Sequence, residues 1–143
     1  YGAEQRGGTA NCAVVISDEE IGSPVISHPK FGLIMNLPSL TKFQPRFESG
    51  AKVVFDSSLI DTKEITRSDI EFFGIKASEI AQKLGNTKIA NMVMIGGLLK
   101  ISDLFAIDVA KDALVHAIPK KYHNMLDINK KALEEGFKRT EKL

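Results

Sequence analysis

The sequence predicts a layered α/β domain with helices packed against a mixed sheet, and three observations carry that prediction. Short apolar runs bounded by turn residues occupy the first half of the chain. Apolar residues at three- and four-residue spacing occupy the second half. No repeat, low-complexity tract or long linker divides the 143 residues, so a single domain over residues 1–143 is expected.

Taken in order, residues 12–17 form an almost continuous apolar run, the pattern of a strand covered on both faces. Residues 18–22 then turn the chain, and residues 24–26 suggest a brief edge segment. Residues 32–36 and Lys52–Asp56 are two further short apolar runs that end in polar residues, and Glu71–Ile75 is a fourth candidate strand. Ala77, Ile80, Ala81 and Leu84 share one face of a helix that Gly85 stops, and Asn86 is placed to cap the next. From 87 to 101 the predicted helix is apolar nearly all round, which places it centrally or at an interface. Ile107, Ala110, Leu114 and Ala117 form a stripe that Pro119 ends. Leu126, Leu133 and Phe137 mark a last helix whose other positions are mostly charged.

Composition narrows the function. Hydrophobic residues at 43% and charged residues at 26% are ordinary globular values. A net charge of +1 gives no electrostatic case for nucleic acid, because Lys130, Lys131, Lys138, Arg139 and Lys142 alternate with Glu134, Glu135 and Glu141 as the solvated face of a helix does. Cys12 is the single cysteine, so the chain alone forms no internal disulfide and holds no iron-sulfur cluster. The longest apolar stretch, residues 92–99, is too short to cross a bilayer, and no cleavable signal pattern opens the sequence. A cytoplasmic protein without membrane contact is the expectation.

The segment Tyr-Gly-Ala-Glu-Gln-Arg-Gly-Gly-Thr-Ala-Asn-Cys at residues 1–12 is the strongest candidate for function. Gly2, Gly7 and Gly8 permit close approach of a phosphate or another backbone. Glu4 and Arg6 carry opposite charges, and Thr9 and Asn11 supply neutral donors and acceptors. The bland alternative is a tight turn with a surface ion pair worth less than about 1 kcal/mol. Ligands of open α/β sheets gather beyond the carboxyl ends of strands, which brings in Asn36, Pro38 and Ser39 after one strand and Ser57 and Ser58 after another. These residues are equally the ones that cap turns and helix starts. His28, His116 and His123 lack partners at metal-ligand spacing, and neither a nucleophile elbow nor a Walker-type phosphate loop is present. Gly96 and Gly97 inside an apolar helix, and Asn129, Ala132 and Gly136 on the last one, predict close backbone packing within the domain or against another subunit.

That opening segment closely resembles the motif of the gamma subunit of 2-oxoacid:ferredoxin oxidoreductases. The resemblance runs on through Ile16-Ser17-Asp18, Ile21-Gly22-Ser23-Pro24, Met35-Asn36 with Pro38-Ser39, and Asp56-Ser57-Ser58-Leu59-Ile60. It continues in Leu84-Gly85-Asn86-Thr87-Lys88, Asn91-Met92 with Gly96, and Asn129, Ala132-Leu133 and Gly136. The form with Thr9, Asn11 and Cys12 looks most like the 2-oxoglutarate type, with pyruvate- and indolepyruvate-type subunits as alternatives.

The resemblance implies a three-layer α/β/α domain with a mixed sheet. It also implies an enzyme that oxidatively decarboxylates a 2-oxoacid, passes electrons to ferredoxin and releases an acyl-CoA. Thiamine diphosphate and iron-sulfur clusters would lie on partner chains, with alpha, beta and delta-type subunits as partners and CoA as co-substrate. No catalytic residue and no metal ligand is expected on this chain, which would be silent in isolation. Glu4, Arg6, Gly7, Gly8, Thr9, Asn11, Asn36, Ser39, Ser57 and Ser58 become candidates for contact with CoA or with the catalytic subunits. Family members precede the Tyr-Gly motif with a strand, a Gly-rich turn and a helix, so an N-terminally truncated domain with one open sheet edge is expected. A purely architectural subunit and a free-standing nucleotide-binding domain are the rival readings.

Overall fold

The structure, a computed structural model, describes residues 10–22 and 25–143. Four strands, β1 (Phe31–Ile34), β2 (Lys52–Asp56), β3 (Glu71–Ile75) and β4 (Glu141–Lys142), form one sheet in the order β1-β2-β3-β4. Five helices accompany it: α1 (Leu37–Phe43), α2 (Ala77–Lys83), α3 (Ala90–Ser102), α4 (Ile107–Ala117) and α5 (Leu126–Arg139). The first three strands are parallel, with Ile34 opposite Phe55 and Asp56 opposite Ile75, whereas β4 returns antiparallel to β3 through Gly74 and Glu141. The sheet is therefore mixed, as predicted.

Side chains alternate across the sheet with the period of two that a strand imposes. Val54 and Ile75, with Leu33 and Phe73, point into a core formed with Ile80, Ala81, Ile89, Val93, Met94 and Ala132 of the helical layer. Ile34, Val53, Phe55 and Phe72 point the other way, onto Leu40 of α1 and onto Phe47, Ile60 and Ile70 of the connecting segments. One face carries α2, α3 and α5; the other is covered by α1 and ordered loops, a thinner third layer. Arg67 fastens that loop layer: its guanidinium holds both Asp69 oxygens at 2.6 and 2.7 Å and donates to the carbonyls of Gln44 and Phe47.

The apolar helix expected over 87–101 is α3 with a 3-10 turn before it, and Asn86 caps that turn by accepting from the Lys88 amide at 3.0 Å. Gly85, at φ +88°, ends α2 in the left-handed conformation that favours glycine. The glycines of α3 and α5 meet each other inside the domain. A Cβ on Gly96 would stand 2.1 Å from the Leu133 carbonyl oxygen, and one on Gly136 would stand 1.9 Å from that of Val93. Gly97 faces Thr140 and Val54 of the sheet, so the small-residue faces serve helix-on-helix and helix-on-sheet packing together. Helix α4 rests on α5 through Leu114 and the Lys111–Glu134 ion pair.

Two expectations are corrected. Residues 12–17 form no strand; Val14 is 73% and Ile16 61% exposed, because no described strand lies beside them to satisfy their backbone groups. Residues 25 and 26 likewise belong to no strand, and the rest of that proposed edge segment, residues 23 and 24, lies outside the described residues. Helix α1 is an element the sequence reading did not assign, because its seven residues are too few to show a helical period. Among the described residues β1 pairs on one side only, with β2.

Candidate functional site

Parallel strands β1, β2 and β3 end on the same side of the sheet, and the polar residues that follow them gather there. Asn36 follows β1 with extended backbone angles, and its Oδ1 accepts from the Ser39 amide at 3.0 Å. It is the N-cap of α1, and Pro38 sits in the first turn, where a missing N–H does no harm. Ser39 is half-buried on that same turn. The capping role weighed for these residues is thus the one that Asn36 displays.

After β2, Ser57 extends the ladder by donating its N–H to the Ile75 carbonyl at 2.9 Å. Ser58 reaches across to α2, where its Oγ accepts from the Glu79 amide at 3.3 Å. Asp56 organises this junction. It is 0% exposed; its Oδ1 accepts from the Ser58 amide at 3.0 Å, while Oδ2 accepts from the Ser78 amide at 3.1 Å and the Ser78 hydroxyl at 2.6 Å. A carboxylate so enclosed and so well supplied with donors fixes the strand end to the start of α2. The candidate residues drawn from the sequence omit Asp56, although a signal was present: an acid directly after the apolar Val53-Val54-Phe55 in a doubly covered strand must find donors.

Two open clefts border this junction and share Ser57. One, of about 420 Å3, lies between β3, α2 and the end of α5 and is lined by Ser57, Gly74, Lys76, Glu79 and basic residues of α2 and α5. The other, of about 480 Å3, is formed by residues 57–62. Among the described residues no group of three or more His, Cys, Asp or Glu side chains could hold a metal. His123 bonds the Ile118 carbonyl at 2.9 Å, whereas His28 and His116 are exposed. No described helix is long and apolar enough to cross a membrane.

Glu4, Arg6, Gly7, Gly8 and Thr9 lie outside the described residues. Asn11 and Cys12 are exposed and belong to no helix or strand. Asn36 with Ser39 and Ser57 with Ser58 are brought to neighbouring strand ends.

Comparison with known proteins finds that the pattern of a family described as pyruvate ferredoxin/flavodoxin oxidoreductase matches residues 1–139. The chain is 35% identical over 138 residues to the ketoisovalerate oxidoreductase subunit VorA of Methanothermobacter thermautotrophicus, covering 95% of this chain and 28% of that one. It is 32% identical over 124 residues to the 2-oxoglutarate synthase subunit KorC of Methanothermobacter marburgensis, covering 83% and 67%. The chain thus spans little more than a quarter of VorA and two thirds of KorC. The fold is similar to that of the pyruvate oxidoreductase subunit PORC of Thermotoga maritima, with a TM-score of 0.67 at 16% identity over 82% of this chain and 66% of that one. It is similar too to the gamma subunit of a keto/oxoacid ferredoxin oxidoreductase of Geobacter sulfurreducens, with a TM-score of 0.65 at 18% identity over 75% and 62%.

Proposed function

The chain belongs to the pyruvate ferredoxin/flavodoxin oxidoreductase family, and we propose that it acts as the gamma-type unit of a multi-subunit 2-oxoacid:ferredoxin oxidoreductase. The match over residues 1–139 is the observation that carries this reading. In such an enzyme a 2-oxoacid is cleaved to carbon dioxide and an acyl group that is transferred to CoA, and two electrons leave through ferredoxin. Thiamine diphosphate and iron-sulfur clusters supply the decarboxylation and electron-transfer chemistry on the alpha, beta and delta-type partners. With a single cysteine in this chain, the cysteine ligands of an iron-sulfur cluster would come from partner chains. This chain's contribution is recognition, in the cytoplasm, within the assembled enzyme.

In this reading residues 4–11, together with Asn36, Ser39, Ser57 and Ser58, face the catalytic subunits and help admit or bind CoA. Arg6 meets a phosphate of CoA or an acidic partner residue, and the Gly7 and Gly8 amides offer further donors. In the assembled enzyme Arg6→Ala should raise the apparent KM for CoA roughly tenfold, the loss expected for one charge-assisted hydrogen bond. Unchanged kinetics together with unchanged assembly would overturn the contact. The capping geometry of Asn36 and Ser58 supports a second reading, a purely architectural subunit. Calorimetric titration of CoA into complexes with and without this chain separates the two. The 2-oxoacid to test first is 2-oxoglutarate, on the form of Thr9, Asn11 and Cys12; the comparable similarity to VorA makes ketoisovalerate the second.

A further inference from the structure

We propose that the cleft between α2, β3 and the last turn of α5 is a binding site for a small phosphate-bearing molecule, held by Lys83 and Lys138 with Arg139. The cleft has a volume of about 420 Å3, within the range of small-molecule sites and far larger than a lone ion needs. Gly74, near the carboxyl end of β3, is among its lining residues. A Cβ there would come no nearer than 3.5 Å to Phe55 and Ser57, so packing does not demand the glycine. The cleft thus lies at the carboxyl end of β3.

Charge selects the ligand class. Four cationic side chains, Lys76, Lys83, Lys138 and Arg139, face two carboxylates, Glu79 and Glu141. Lys76 and Glu79 answer each other at 3.5 Å, and Arg139 is held by Glu135 beside the cleft. Lys83 and Lys138 stand on opposite walls, and neither has a carboxylate within 4 Å among the described residues, although Glu134, one turn before Lys138, attracts it through space. Two lysine point charges and an oriented guanidinium suit a multiply charged phosphate, and the Ser57 hydroxyl on the lining adds a neutral donor. The proposal does not depend on the contact assigned to residues 4–11.

Calorimetric titration of the full chain with inorganic pyrophosphate and with adenosine 5′-diphosphate tests it. Both probes should saturate one site per chain. K138Q/R139Q, on the exposed end of α5, should weaken both by at least tenfold, and K83Q should weaken them from the opposite wall. K120Q/K121Q removes the same charge away from the cleft and should change affinity less than twofold. Absence of saturable binding, or equal losses in the two double variants, would overturn the proposal. So would K138Q/R139Q leaving phosphate affinity intact while weakening assembly with the other subunits, since that result would assign the cations to an acidic protein surface. The K83Q and K138Q/R139Q results are read from phosphate affinity alone and stand whatever Arg6→Ala does to the KM for CoA.

Discussion

At the scale of single residues, buried and exposed carboxylates behave in opposite ways here. Asp56 is fully buried and faces three donors, so neither oxygen can be replaced by an N–H without setting donor against donor. Asp56→Asn should cost about 1–3 kcal/mol and Asp56→Ala a value at the upper end of that range, read from urea unfolding. Asp69 is exposed, and the side-chain hydrogen bonds from Arg67 draw its pKa down from the usual 3.8 to about 2. A carboxylate whose folded pKa lies below its unfolded value stabilises the fold above the unfolded pKa and loses that contribution as pH falls through the folded one. The Arg67–Asp69 pair should therefore support the fold fully above about pH 4 and lose its effect as the pH falls towards about 2. A carboxyl NMR titration should place Asp69 well below the free amino acid, and Arg67→Ala should return it to the ordinary range. A midpoint that does not move with Arg67 would refute this account. The identity of Asp56 could be read along the chain, but its partner Ser78 stands 22 residues away and becomes a neighbour only in the fold.

At the scale of elements, the α3–α5 contact decides more than helix propensity does. Replacing Gly96 or Gly136 by alanine gains up to about 1 kcal/mol of propensity. It also drives a methyl to about 2 Å from a backbone carbonyl of the facing helix, which no rotamer relieves. Gly136→Ala and Gly96→Ala should each destabilise by about 3 kcal/mol or more, the upper end of overpacking costs, and a midpoint equal to or above that of the parent would be incompatible with this packing. Helices α2 to α5 and strands β1 to β3 were legible because each carries its own periodicity and stop signals, such as Gly85 after α2 and Pro119 after α4. The seven-residue α1 and the two-residue β4 were not, because segments so short show no period and are held by neighbours. Residues 12–17 err in the other direction: local preference for a strand is real, yet a strand exists only when another supplies its hydrogen bonds.

At the scale of the whole molecule, β2 ties the two cores together. Val54 points into the helical core, while Val53 and Phe55 point into the loop-covered one. Phe55→Ala should cost about 3–5 kcal/mol and Val54→Ala a smaller amount. Both should lower a single shared transition seen alike by far-ultraviolet circular dichroism and by a near-ultraviolet signal; separate transitions would mean that the two layers fold independently. The sequence by itself determined the mixed α/β class, the central apolar helix, the glycine stops and the family, because these reside in residue types and their spacing along the chain. Only the tertiary structure decided that Asn36 and Ser58 are spent on helix starts, that Asp56 is the knot between β2 and α2, and that cations from α2 and α5 share a cleft with Ser57. Those relations depend on which distant segments become neighbours, and burial, not local pattern, sets that distance.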